Sequence, residues 1–378
     1  MLVQVKYGDD DSVFGDKPSA MRLYTELVPK LDKIPLKLYP QRRAVPFSPQ
    51  WFPECTASKV ARLAPDIINL HWINDGFLRI ESLARLSKPI VWTMHDMWPF
   101  TGGCHYNEGC DHYTESCGAC PTLASKQDKD LSRWIWNRKS RNWQELDITI
   151  VALSSWLADC ARNSTLFSNL PIEVIPNCID TNVYMPQDKH HARYLLDLPQ
   201  DKKIVGFGAL RATSDQRKGF HLLKSTLELL SNSNLSSDLE LAVFGASRSN
   251  STAALKAHYL GEIHDEMKLA AFYSAVDVFV LPSIEDNLPN TVMEALSCGT
   301  PCVAFRIGGI PDMIDHKLNG YLCRPFECQD LALGITWVIE DEERRKKLSG
   351  KAREKVLASY TQREMANQYL RLFEKLLP

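Results

Sequence analysis

The sequence predicts an α/β protein made of two doubly wound, Rossmann-like domains, and three observations predict it. Short apolar runs alternate with amphipathic stretches along the chain. The runs are nearly continuous rather than alternating, which is the pattern of parallel strands covered on both faces. The theme occurs twice, with a polar, proline-bearing segment between the halves. A length of 378 residues suits two such domains.

In the first half the strand candidates are residues 1–7, 67–72, 89–95, 147–154 and 172–177, with helical spacing over 19–32, 76–87 and 155–167. In the second half strands are expected at 203–209, 239–246, 257–261, 276–283 and 302–305, and helices at 219–230, 265–275, 290–298, 310–316 and 327–340. The expected domains are 1–180 and 203–360, joined by a polar linker at 181–202 that contains Pro186 and Pro199. A last helix within 361–378 is expected to pack back on the first domain. Two doubly wound sheets imply a cleft between them, and ligands in such sheets bind beyond the carboxyl ends of the strands.

Composition narrows the function. Lys and Arg number 44 against 46 Asp and Glu, so no basic excess supports nucleic-acid binding. No apolar run approaches the ~18 residues of a membrane span. The opening MLVQVKYGDDDS lacks the features of a signal peptide. A cytoplasmic protein with no more than peripheral membrane contact is expected. Eleven cysteines, an odd number mostly in apolar or helical contexts, suit a reducing compartment.

The informative residues follow the second-half strands. After 276–283, Asp286 lies in a loop and Glu294 eight residues on lies inside the next helix, for which Asn290 is the expected cap. Two carboxylates so placed suit a two-point grip on a sugar-containing ligand; the alternative is that Glu294 merely complements the helix dipole. Arg211, Arg217 and Lys218 supply cations after the strand at 203–209, and Gly219, just before the next helix, suits close approach of backbone to a phosphate. Arg217–Lys218 as a solvated loop pair is the alternative. Gly308 and Gly309 form either a backbone N–H turn near a ligand or a tight turn only. In the first half, His95 and more weakly His71 stand just past strands.

The surrounding pattern weighs against the alternatives. IEDNLPNTVMEALSCGTP, then CVAF, GGIPDMI and NGYL, closely resembles the donor-binding lobe of glycosyltransferase family 4, retaining nucleotide-sugar transferases of the GT-B fold. IPNCID at 175–180, FGALRATSDQRKGFHLL at 207–223 and HYLGEIHDEMKLAAFYSAVDVFVLPS at 258–283 resemble the same family in order, and the likeness covers about residues 60–375. The resemblance implies that Glu294 binds the nucleotide ribose and that Asp286, where the family usually has Glu, meets the donor sugar. It assigns the diphosphate to Lys218 with Arg211 or, second, Arg217, and places Gly308 and Gly309 near the donor sugar. His95 would face that sugar from across the cleft. The implied reaction retains anomeric configuration and requires no cofactor or divalent metal, the co-substrate being the nucleotide sugar. The acceptor would be a saccharide or lipid-linked saccharide in polysaccharide or glycoconjugate assembly. Other readings are a non-catalytic nucleotide-sugar-binding protein and a nucleotide-sugar epimerase of the same shape.

Two further features stand apart. Cys104, Cys110, Cys117 and Cys120 crowd into seventeen residues, where four thiolates can enclose a structural zinc, with His105 and His112 as substitutes. Uncoordinated thiols and two disulfides are the alternatives. Residues 126–143 carry Trp among Arg and Lys and read either as a membrane-surface helix or, preferably, as an amphipathic helix packing Leu131, Trp134 and Ile135 inward. The first domain of the resembled family opens with a strand, a Gly-rich turn and a helix. Here residues 1–7 read as the second strand, so a unit of about 35 residues is expected to be missing before it.

Overall fold

The computed structural model describes residues 1–5, 10–16, 27–54, 56–209, 215–246 and 254–377. It divides into two compact units, Met1–Val174 with Leu372–Pro378, and Ile175–Arg371.

In the first unit, β1 (Leu2–Val5) and β2 (Phe14–Asp16) form a parallel two-stranded sheet. A separate four-stranded parallel sheet holds β3 (Ile68–Leu70), β4 (Ile90–Met94), β5 (Ile148–Ala152) and β6 (Ile172–Val174) in that order. Strands β4 and β5 are buried at every residue, as their continuous apolar sequences require. Among its helices are α1 (Thr56–Leu63), α2 (Leu131–Trp143) and α3 (Ser155–Asn163). Asp130 caps α2 by accepting from the N–H groups of Ser132 and Arg133, and Ser154 caps α3 by accepting from Leu157. An aromatic cluster of Trp92, Trp98, Trp143 and Phe167 fills the core between sheet and helices.

Of the expected helix 19–32 only residues 27–32 are described, and they are helical. The expected helix 76–87 is instead a 3₁₀ segment, Ile80–Arg85. Ile80, Leu83 and Leu86 are all buried, and a spacing of three stacks them directly above one another at three residues per turn. Within α2, Ile135 is buried and Leu131 packs on the core, but Trp134 is exposed, with the Arg138 guanidinium 4.4 Å from its ring centroid.

In the second unit the elements are α4 (Lys189–Leu195), β7 (Lys203–Gly208), α5 (Phe220–Ser231), β8 (Leu239–Phe244), β9 (Ala257–Tyr259), α6 (Glu266–Ala275), β10 (Val278–Leu281), α7 (Asn290–Ser297), β11 (Cys302–Phe305), α8 (Ile310–Met313), β12 (Gly320–Cys323), α9 (Cys328–Ile339) and α10 (Glu342–Ser359). The six strands form one parallel sheet in the order β12-β11-β10-β7-β8-β9. That is the doubly wound order, reversing between β7 and β10. Helix α11 (Gln362–Leu376) closes the chain.

Segment 181–202, expected as a linker, belongs to the second unit. Its helix α4 is capped by Asp188, and its Arg193 is buried against Asp277 with Nη2 2.8 Å from Oδ2. Lys189 and Arg345 join the same carboxylate at 2.8 and 3.0 Å. A buried acid that needs three cations fixes this polar segment in place. No helix among the described residues is long and apolar enough to cross a membrane.

Candidate functional site

The strand order reverses between β7 and β10, the place where doubly wound sheets bind ligands, and the loops leaving the carboxyl ends of these two strands meet there. The loop after β7 ends in a 3₁₀ turn, Gln216–Lys218, whose first N–H is held by the Asp215 side chain. Gly219 follows at φ +70°, and a Cβ there would lie 1.8 Å from the carbonyl oxygen of Pro282. Only glycine allows this approach. The two loops are also joined by the Ile284 N–H, which donates to the Arg217 carbonyl at 2.8 Å.

This seam brings the charged candidates together. Lys218 Nζ lies 2.7 Å from Asp286 Oδ2, which also accepts from Ser283 Oγ at 3.3 Å. Arg217 reaches the same oxygen at 3.9 Å, donates to the Glu285 carbonyl at 3.2 Å and pairs with Asp215 at 3.5 Å. Asp286 is buried. Gly308, at φ +51°, packs on the Asp286 carbonyl oxygen, which a Cβ would meet at 1.9 Å. The Gly309 N–H donates to that carbonyl at 3.2 Å. The glycine pair therefore positions the Asp286 loop, and the Gly309 N–H expected to face a ligand is engaged within the protein. Arg211 lies outside the described residues.

Glu294 sits one turn into α7 with a partner of its own. The Tyr273 hydroxyl, from α6, donates to Glu294 Oε2 at 2.6 Å. Burial pushes the Glu294 carboxyl above its ordinary pKa; the bond from Tyr273 opposes this and the charge of Glu266 adds to it. Asn290, expected to cap α7, is its first residue, and Pro289 at φ −68° takes the cap position with extended ψ. Tyr273 and Ser283 were not anticipated. Both lie within the 258–283 stretch, but spacing alone does not reveal that a hydroxyl on α6 reaches α7.

In the first unit, His71 and His95 directly follow β3 and β4, and His71 Nδ1 lies 3.0 Å from His95 Nε2. Burial lowers the pKa of His95 against the pull of Asp96, and desolvation with the charge of His95 lowers that of His71. Both imidazoles are therefore disposed to be neutral near pH 7. Behind them runs a buried chain: Asp96 Oδ2 to His105 Nδ1 at 2.7 Å, and His105 Nε2 to Ser48 Oγ at 2.9 Å. His105 thus has both ring nitrogens engaged. Cys104, Cys110, Cys117 and Cys120 line one small cavity with His112, all four as free thiols. Burial pushes the Cys117 thiol up to about 12.

Comparison with known proteins is consistent with this geometry. The description "Glycosyltransferase Family 4" matches residues 10–183 and "Glycosyl transferases group 1" matches residues 197–355. Sulfoquinovosyl transferase SQD2 of Arabidopsis thaliana is 25% identical over 371 residues, covering 94% of this chain and 62% of SQD2. The matched regions span 55–62% of the length of three curated relatives, SQD2 among them. Two solved structures share the fold. Sucrose-phosphate synthase from Thermosynechococcus elongatus has a TM-score of 0.67 at 19% identity, covering 94% of this chain and 79% of that one. Anabaena HepE in complex with UDP and glucose has a TM-score of 0.61 at 19% identity, covering 85% and 81%. The architecture is thus that of the GT-B enzymes, and with both halves matched the chain belongs to glycosyltransferase family 4.

Proposed function

We propose that the chain is a retaining glycosyltransferase that moves a sugar from a nucleoside-diphosphate sugar to an acceptor hydroxyl, in cytoplasmic assembly of a polysaccharide or glycoconjugate. The observation that carries this reading is the seam at the switch point, where Lys218 and Arg217 converge on Asp286. A dianionic diphosphate entering there draws the two cations, and Asp286 is released to accept from hydroxyls of the donor sugar. Glu294, aligned by Tyr273, accepts from the ribose hydroxyls. As the glycosidic bond breaks, charge grows on the departing diphosphate oxygen, where the cations stabilise it. The acceptor hydroxyl attacks on the same face and its proton passes to that oxygen, so the products are the new glycoside and the nucleoside diphosphate. His95 is assigned to the sugar side of the reaction, with His71 fixing its ring orientation. The acceptor is a saccharide or lipid-linked saccharide, met without more than peripheral membrane contact.

The test is release of nucleoside diphosphate from a panel of nucleotide sugars with and without saccharide acceptors. Lys218→Ala is expected to lower kcat roughly a hundredfold while donor Kd changes less. Glu294→Ala is expected to weaken donor binding about tenfold or more. Donor binding without acceptor-dependent release would identify a binding protein instead, and unchanged kinetics in both variants would remove the site assignment.

A further inference from the structure

The loop between β4 and α2 has little regular structure, only two short 3₁₀ turns, yet it folds around a definite centre. Four thiols from positions 104, 110, 117 and 120 and the ring of His112 line one cavity whose interior holds little more than one or two water-sized atoms. We propose that this cavity is a structural Zn²⁺ site with Cys104, Cys110, Cys117 and Cys120 as its four ligands.

Three observations around the cavity support this assignment. The backbone N–H of Gly102 donates to Cys117 Sγ at 3.1 Å, the kind of contact that supports a metal-bound thiolate. Gly102 itself is hemmed in, since a Cβ there would lie 2.9 Å from the Cβ of Cys117. Cationic side chains also stand beside the cavity. Lys139 is fully buried against the loop, its ammonium 3.5 Å over the Trp98 ring and 3.0 Å from the Thr101 carbonyl oxygen. Its hydrogen bonds go to the carbonyl oxygens of Trp98 and Thr101, and among the described residues no carboxylate forms an ion pair with it. Arg133 Nε donates to the Cys117 carbonyl at 2.7 Å from the neighbouring side, its guanidinium also pairing with Asp128 at 2.5 Å. Four thiolates around one Zn²⁺ carry a net charge of −2, a counter-charge for the buried Lys139 side chain.

Ligand choice follows from the hydrogen bonds. His105 is engaged at both nitrogens and is excluded. His112 donates from Nδ1 to the Gly118 carbonyl at 2.9 Å, which directs its Nε2 lone pair away from that bond and makes it the natural competitor of Cys110, two residues away in sequence. As they stand, no three His, Cys, Asp or Glu side chains among the described residues are gathered closely enough to grip an ion. Binding therefore turns the sulfurs inward about χ1, forms four S–Zn bonds at ~2.3 Å and releases the thiol protons to solvent, with no change of oxidation state. The metal would clamp both ends of the seventeen-residue span from Cys104 to Cys120.

The experiment is metal analysis of the full chain purified with a reductant and without chelator, followed by Co²⁺ exchange. About one zinc per chain is expected, released by a mercurial thiol reagent, with the Co²⁺ form giving the visible bands of a tetrahedral all-thiolate site. Cys117→Ser should reduce bound zinc to below about a tenth per chain, whereas Cys178→Ser in the other unit should leave it unchanged. If Cys117→Ser does not fold, the cobalt spectrum of the unaltered chain decides. No retained zinc and no thiolate bands after reconstitution would overturn the site, and bands of three sulfurs with one imidazole would overturn the ligand set in favour of His112.

Discussion

Glu294 illustrates how one residue's chemistry is set by a neighbour that the sequence does not point to. Its carboxyl is driven upward in pKa by burial and drawn back by the Tyr273 hydroxyl, so donor binding that needs the ionised acid should weaken on acidification while the pH is still above the usual carboxylate value. Tyr273→Phe removes the downward pull alone. The acid limb of donor affinity should therefore move to higher pH in that variant, with affinity nearly restored at alkaline pH; titrations across the range check this, and a limb that stays put would remove Tyr273 from the site. Asp286 and Lys218 make a different point. Their residue types and their places after two strands were readable from the sequence. Their mutual 2.7 Å contact was not, because it depends on how closely Gly219 and Gly308 let two loops approach.

At the level of elements, the same approach predicts a sharp penalty. Gly219→Ala combines a left-handed φ with a Cβ placed on the Pro282 carbonyl oxygen, so the turn carrying Arg217 and Lys218 must lift away from the β10 loop. A loss of at least ~1 kcal/mol in stability is expected from the backbone term alone, with weaker donor binding in the same variant. Thermal denaturation and donor titration report the two effects separately. Elements were legible where apolar residues were continuous, as in β4, β5, β8 and β10. They were missed where the buried face is narrow. Helix α10 buries only Leu348, Ala352 and Val356 among many charges, a spacing of four that was present but diluted. Strand β12 is four residues long and was visible only as part of a motif. The 3₁₀ turn at Ile80–Arg85 was mistaken for a full helix because a spacing of three satisfies both patterns over so short a run.

For the molecule as a whole, the twofold α/β theme was legible because it rests on composition and order, which tolerate local errors. The place of residues 181–202 within the second unit was not. The segment at 181–202 reads as polar, and its Lys189 and Arg193 are in fact held by Asp277, a partner some eighty residues away. Asp277 accepts from Lys189, Arg193 and the Ile204 N–H and is paired with Arg345, and these neighbours hold its carboxyl below the usual range despite burial. A depressed acid contributes stability above its unfolded-state pKa, ~4, and loses it as pH falls through the folded-state value. Asp277→Ala is expected to cost about 3–5 kcal/mol by leaving buried cations uncompensated, with a smaller difference from wild type under strongly acidic conditions. Denaturant titration of both proteins at neutral and acidic pH measures the difference. One consequence of the division into units concerns handling of the polypeptide. Residues Leu372–Pro378 are grouped with the amino-terminal half. A clipped or tagged tail is therefore an intervention in the fold's opening portion, and excising the first 174 positions for separate production would leave out part of that body.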